Sequence, residues 1–193
     1  MVKQVILSIS IGLVFVISSQ SASARPIEHL NSLAFVGSQG VLVAGTPKGL
    51  FESRDEGRTW KKSEIKENVR GTDFMTIVVN PDNPKLVYAG GRELSVIRSS
   101  DGGRNWSEQA KGLPTKDISA LAIDPTKPAT LHAWAGKHGL YRTKNGAKDW
   151  SRVDAGPDHQ MTSLTSVPIP TGMGGIYLYA GTVAGLFRSP DCF

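Results

Sequence analysis

A short polar side chain, Asp in three places and Asn in one, recurs at a nearly constant interval along this chain. Asp55, Asp101, Asn145 and Asp191 follow one another at intervals of 46, 44 and 46 residues. Two carboxylates that face one bond at a short distance can act as general acid and general base. A side chain that recurs once per structural unit, however, usually belongs to the unit itself. We therefore interpret these residues as turn-forming, and we predict no catalytic residue among them.

Each of these residues lies in a copy of one short motif. The copies are SRDEGRTW at 53–60, SSDGGRNW at 99–106, TKNGAKDW at 143–150 and SPDCF at 189–193. In such a motif Ser or Thr ends a strand, Asp accepts hydrogen bonds from its own turn, and Gly allows a positive φ. Trp then packs its apolar face near the turn. The predicted structural residues are Ser53, Asp55, Gly57 and Trp60, then Ser99, Asp101, Gly103 and Trp106, then Thr143, Asn145 and Trp150, and finally Ser189 and Asp191.

The motif sits inside a longer repeat of about 45 residues. Before each copy come three short runs rich in Val, Ile, Leu and aromatic residues, bounded by Gly, Pro, Asn and Asp, and the Trp opens a fourth run. Four short strands per unit of this length are typical of a β-propeller blade. We predict an all-β, partial β-propeller of about four four-stranded blades, the last incomplete. The predicted blades are residues 27–66, 72–110, 117–154 and 160–193.

The motif resembles the Asp-box, or BNR, repeat of sialidases, sortilin-like receptors, xyloglucan-acting hydrolases and Ycf48-like photosystem II assembly factors. The third copy departs from the pattern at Asn145 and Ala147, and the fourth ends early. The sialidase Arg-Ile-Pro motif is absent, since Arg25-Pro26-Ile27 has another order, and xyloglucan hydrolases need two seven-bladed rings. The resemblance implies a non-catalytic module for protein or glycan binding or complex assembly. The alternative is a truncated carbohydrate-active enzyme, a sialidase or glycoside hydrolase relative.

Function in such a ring is expected on the loops of one face. These are the turns at 46–49, 90–94, 136–139 and 182–185 and the connections at 66–73, 110–117 and 155–160. Loops on a rigid scaffold often carry binding residues. The candidate binding residues are Arg70, Arg92, Lys137, His138 and His159.

The N-terminus predicts export. Lys3 precedes an apolar run at 5–17, and Ala22-Ser-Ala24 forms a small-residue cleavage signal. The run is too short for an ordinary membrane-spanning helix. We therefore predict a signal peptide at 1–24, a mature chain at 25–193 with no membrane span, and a secreted or periplasmic location.

Composition excludes several partners and cofactors. The mature chain keeps a net charge of +4, with its Lys and Arg scattered rather than in runs, so no nucleic-acid partner is expected. Cys192 is the only cysteine, which rules out an internal disulfide. The four His residues never occur at metal-motif spacing, so we predict no metal and no cofactor.

The number of blades raises a question of closure. Rings close with four to eight blades, and an open arc exposes sheet edges and an apolar blade face. Three explanations are open: a truncated gene product, which we favour, a small ring with a defective last blade, or an arc completed by another chain. Self-association through the open edges is expected in the absence of further blades.

Export leads to a first testable prediction. Expressed in its host, the protein should lose 24 residues and be recovered outside the cytoplasm, because the order of charge, apolar run and Ala-x-Ala directs cleavage. N-terminal sequencing should begin at Arg25. A mature protein that still carries Met1 would contradict the prediction.

Overall fold

The computed structural model describes residues 27–37, 40–65, 71–153, 156–169 and 176–190. These residues form strands and turns, with a single 3-10 turn at Gly136–His138. The strands pair into four small sheets that follow one another along the chain. The predicted all-β propeller with about four blades is therefore confirmed. The predicted signal peptide lies outside the described residues and stays a prediction.

Each blade is a meander of antiparallel strands, numbered here along the chain. The first contains β1 (Ser32–Val36), β2 (Val41–Thr46), β3 (Gly49–Ser53) and β4 (Lys61–Lys62). The second contains β6 (Asp73–Val79), β7 (Val87–Arg92), β8 (Ser95–Ser99) and β9 (Asn105–Glu108). The third contains β10 (Ala120–Ile123), β11 (Leu131–Trp134), β12 (Leu140–Thr143) and β13 (Ser151–Arg152). The fourth contains β14 (Met161–Val167), β15 (Tyr177–Thr182) and β16 (Gly185–Pro190).

The second sheet has a fifth strand that the repeat did not predict. β5 (Glu64–Ile65) leaves the first blade and pairs in parallel with β9 of the second. The outer end of the first blade therefore belongs partly to its neighbour. In the fourth sheet, the described residues supply three strands, and residues 191–193 lie outside them.

The core lies between consecutive blades. We call the side of a blade that packs on the next blade its trailing face, and the side that packs on the previous blade its leading face. Leu50 on the trailing face of the first blade shares a buried cluster with Phe74 and Val87 of the second. Val96 of the second blade and Leu140 of the third occupy equivalent clusters with the blades that follow them. Burying side chains of this size contributes about 1.5–3 kcal/mol each.

The recurring motif closes the turn after the third strand of each blade. In the first copy, the Thr59 backbone N–H and hydroxyl donate to the two Asp55 carboxylate oxygens at 2.8 and 2.6 Å. The Ser53 hydroxyl donates to Asp55 at 2.8 Å and accepts from the Gly57 N–H at 2.8 Å. The carboxylate thus holds its own turn, which otherwise would leave several N–H groups without partners.

The second and third copies use the same pair of side chains in opposite order. In the second, the Asn105 amide donates to the Asp101 carboxylate at 2.7 Å. In the third, the Asn145 amide donates to the Asp149 carboxylate at 2.8 Å. The departure of Asn145 from the repeat is therefore compensated four residues later, and one negative charge per turn is retained.

Ala147 is the second departure in the third copy, and it keeps the backbone of the glycine that it replaces. Its φ of 67° matches the positive φ of 87° at Gly57 and 92° at Gly103. A left-handed conformation costs a residue with a Cβ about 1–2 kcal/mol. The Ala147 side chain is fully buried in the cluster between the second and third blades, which offsets part of that cost.

The motif tryptophans bind each blade to the one before it. Trp106 pairs with Ile65 at the parallel β5–β9 contact. Trp150 donates its backbone N–H to the Lys111 carbonyl at 2.9 Å and its indole N–H to the Gln109 carbonyl at 3.0 Å. Both tryptophans are buried, whereas Trp60, which no described blade precedes, is only half-buried.

The exchanged pair in the third turn yields a stability prediction. Asn145→Asp should destabilise the protein by about 1 kcal/mol, because it removes an amide donor and places two carboxylates together. The double variant Asn145→Asp, Asp149→Asn restores the arrangement of the second turn and should recover most of that loss. Urea unfolding at neutral pH measures both. A double variant no more stable than Asn145→Asp would contradict the compensation.

Candidate functional site

The loop face predicted from the sequence is a hydrogen-bonded surface. The turn after β7 meets the connection from the second to the third blade, where the N–H groups of Leu94 and Ser95 donate to the Lys116 carbonyl at 3.1 and 2.7 Å. The Glu93 N–H donates to the Asp117 carboxylate at 3.0 Å. Turns and connections on this side therefore support one another.

A pocket of about 620 Å³ lies between the turn after β11 and the connection from the third to the fourth blade. Ligand pockets in proteins usually span about 300–1,000 Å³. The lining residues are Trp134, Gly136, Lys137, His138, Gly139, Leu140, Arg152, Val153, Gly156, Pro157, Asp158, His159 and Gln160. Trp134, Leu140 and Val153 of this lining also pack in the cluster between the third and fourth blades.

Three of the candidate binding residues meet in this pocket. Lys137 and His138 come from the 3-10 turn, and His159 comes from the connection that faces it. Arg92 does not line the pocket, and its guanidinium lies 3.6 Å from the Asp73 carboxylate at the exposed end of β7. Arg70 lies outside the described residues.

Trp134 closes the buried side of the pocket, and the sequence analysis missed it. It is opposite Leu140 in the β11–β12 pair, and the residues at that position in the other blades are Gly45, Gly90 and Gly181. The sequence did carry a signal for this residue, because Trp134 occupies a position where the other three repeats have glycine. The side chain also packs in the cluster between the third and fourth blades, so the pocket floor is continuous with the core.

The rim of the pocket is polar and carries more positive than negative charge. Lys137 and Arg152 are exposed cations, and Asp158 is the acidic residue of the lining. The His159 ring lies 6.0 Å from the Phe187 ring at a tilt of 42°, which holds the imidazole against the fourth blade. An aromatic floor and a cationic rim suit a ligand with an apolar group and an acidic group.

The motif carboxylates are poorly suited to acid–base chemistry at neutral pH. Hydrogen bonds from the Thr59 side chain, the Thr59 backbone and Ser53 lower the pKa of Asp55 to about 2. Burial works to raise the pKa of Asp101, but hydrogen bonds from Asn105, Ser99 and Arg104 outweigh it and lower that pKa. A general acid must hold a proton at its working pH, and these groups are ionised there.

Within the five described ranges, no group of three or more His, Cys, Asp and Glu residues could hold a metal ion. Among the same residues, no helix has the length and apolar character needed to cross a bilayer.

Family comparison places the chain in a known group. Residues 48–165 match the Sortilin-Vps10 family, described as sortilin, neurotensin receptor 3. The match covers more than half of the chain and contains the whole second and third blades, with parts of the first and fourth. The protein belongs to the Sortilin-Vps10 family. A comparison with curated protein sequences found no significant match.

Solved structures share the fold at low identity. YCF48 bound to D1 peptide has a TM-score of 0.61 and 18% identity, with 88% of this chain and 51% of that chain covered. The GH74 xyloglucanase from Xanthomonas campestris has a TM-score of 0.61 and 16% identity, with 82% and 29% covered. The computationally designed Ika4 protein has a TM-score of 0.60 and 15% identity, with 89% and 97% covered. The chain thus spans about half of the YCF48 chain and less than a third of the xyloglucanase.

The hydrogen-bonded Asp55 predicts a dependence of stability on acid. The pKa of Asp55 is about 2 in the folded protein against an ordinary 3.8, so its stabilising effect is present above about pH 4 and is lost as the pH falls through 2. Asp55→Asn should flatten the fall in unfolding free energy between pH 4 and 2, as measured by urea titration.

The buried His132 affects the unfolding free energy over a different pH range. Burial and the nearby Arg142 lower its pKa to about 4 despite Asp124, so its contribution is present above pH 6.5 and is lost as the pH falls through 4. Asp101, whose pKa is also lowered, contributes equally in the wild type and in Asp55→Asn, so the difference between their slopes below pH 4 isolates Asp55. Equal slopes in the wild type and Asp55→Asn would contradict the assignment.

Proposed function

We propose that the protein is an exported, non-catalytic binding module that holds a peptide segment of a partner protein in the pocket between its third and fourth blades. The observation that carries the proposal is the pocket itself, with Trp134 as its floor and Lys137, His138, Arg152 and His159 on its rim. A peptide segment fits because it can place an apolar side chain on the floor and a carboxylate against the cations.

The charge of the rim favours acidic segments. Lys137 and Arg152 stand against Asp158, which leaves one net positive charge among these three side chains. Charge complementarity of this kind raises association rates and selects among partners more than it adds affinity. The binding of acidic peptides should therefore weaken as salt is added.

Two comparisons support a binding role without deciding it. The chain belongs to the Sortilin-Vps10 family, whose description names a receptor, neurotensin receptor 3. One structure of the same fold is YCF48 bound to D1 peptide. The GH74 enzymes share the fold as well. The chemistry of Asp55 and Asp101 favours binding over hydrolysis, because hydrogen bonds within their own turns lower the pKa of both carboxyls and leave no proton to donate at neutral pH.

A displayed library of random peptides tests the proposal. Peptides enriched on the wild-type protein are synthesised with a fluorophore and titrated by fluorescence anisotropy. The variant Lys137→Ala, His138→Ala should weaken binding at least tenfold, equivalent to about 1.4 kcal/mol. Arg92→Ala is the matched control, since Arg92 is an exposed cation that does not line the pocket, and it should change binding less than twofold.

The same protein is tested for turnover. If the proposal holds, enriched peptides carry acidic residues and fluorogenic glycosides stay intact. Enrichment of no peptide, or equal losses in the pocket and control variants, would reject the pocket as the site. Hydrolysis of a fluorogenic glycoside that is lost in Asp73→Asn, Asp117→Asn or Asp158→Asn would replace the proposal with the carbohydrate-active alternative.

A further inference from the structure

The first blade presents an uncovered leading face. Leu33 and Phe35 on β1 are 52% and 57% exposed. Strand register places Leu33 opposite Ala44, and the same position is held in the later blades by Ile77, Leu121 and Leu164. Those three residues all pack in the clusters formed with the preceding blade. The exposure of Leu33 and Phe35 thus marks an interface surface that no described blade covers.

The fourth blade presents the complementary surface. Leu186 is 74% exposed, whereas its equivalents Leu50, Val96 and Leu140 are all buried against the blade that follows them. Alternation and register put Tyr177, Tyr179 and Arg188 on the same side of the sheet as Leu186. The two tyrosine rings lie 6.3 Å apart, and the Arg188 guanidinium lies 5.1 Å from the Tyr177 ring.

The two surfaces are not packed on each other within the molecule. Strand packing links the first blade to the second, the second to the third and the third to the fourth. Among the described residues, no comparable strand packing joins the fourth blade to the first. One molecule therefore carries both halves of a blade interface, and none of the blades that the structure describes covers either half.

We propose that a second copy of this chain covers both surfaces in a head-to-tail dimer. The trailing face of each copy, around Leu186, packs on the leading face of the other, around Phe35. The contact continues the internal blade interfaces, because it uses the same register positions that are buried three times within the chain. A two-fold axis makes the two contacts identical and closes the assembly.

The number of blades fits this closure. The four blades that the described residues form in each copy would make a ring of eight, at the upper end of the usual range of four to eight.

The dimer leaves the pocket accessible, because the pocket lies between the third and fourth blades of one chain. Self-association and peptide binding can therefore be measured independently. The proposal does not rest on the proposed peptide-binding function, and failure of one leaves the other in place.

Sedimentation velocity and light scattering test the dimer. The full chain, expressed with its own N-terminus in an exporting host, should have twice the mass of one processed chain. Phe35→Asp on the leading face and Leu186→Asp on the trailing face should each reduce the mass twofold. Ile169→Asp is the matched control, since Ile169 is an exposed apolar residue whose equivalents Asp82 and Thr126 are exposed inside the arc, and it should remain dimeric.

Mixing the two interface variants tests the head-to-tail direction. Phe35→Asp retains an intact trailing face and Leu186→Asp an intact leading face, so an equimolar mixture should form a dimer with one copy of each. Circular dichroism verifies that each variant retains its sheets, and Phe35→Gln and Leu186→Gln replace any variant that does not.

Three outcomes would overturn the proposal. A monomeric wild type would mean that the chain covers its own faces. A dimer that survives either interface variant would mean that like faces meet. A mixture that stays monomeric would mean that the two faces do not recognise each other.

Discussion

The burial of apolar side chains between consecutive blades is the interaction on which the rest of the structure depends. No sheet of three to five short strands can bury both of its faces alone. Each of the three clusters joins the trailing face of one blade to the leading face of the next, through residues such as Leu50 and Phe74. Stability is therefore shared between neighbours, and the blades at the two ends of the described arc have one partner each.

The motif turns serve this packing rather than chemistry. Their carboxylates accept hydrogen bonds from their own turns, and their tryptophans reach the strand that leaves the preceding blade. Each turn pairs one carboxylate with one side chain that donates a hydrogen bond to it. When the donor is an amide, the two can exchange places, as the pairs Asp101–Asn105 and Asn145–Asp149 show. The lowered pKa values of Asp55 and Asp101 keep these two carboxyls ionised at neutral pH and therefore out of general acid catalysis.

The candidate site uses what the repeat leaves variable. Trp134 replaces a glycine of the other blades, and the longer turn at Gly136–His138 brings Lys137 and His138 over it. The connection to the fourth blade completes the pocket from the opposite side through His159, whose ring lies 6.0 Å from the Phe187 ring of that blade. A regular scaffold thus carries a local feature that only one of its blade junctions has among the described residues, and this is how one fold supports both binding proteins and enzymes.

The blades and their turns could be predicted from the sequence by itself, because turn chemistry at Asp55 or Gly103 and the alternation of apolar residues act over a few neighbouring positions. The loops that could carry a binding site could also be predicted, because they are the segments between the predicted strands. Only the tertiary structure decided which loop residues meet, since Lys137 and His159 are brought together by the packing of two blades, while Arg92 is drawn to Asp73. It also decided that β5 joins the second sheet and that Leu186 stays exposed although its equivalents are buried. These outcomes depend on which surfaces face each other across the blades, and local sequence carries no record of that.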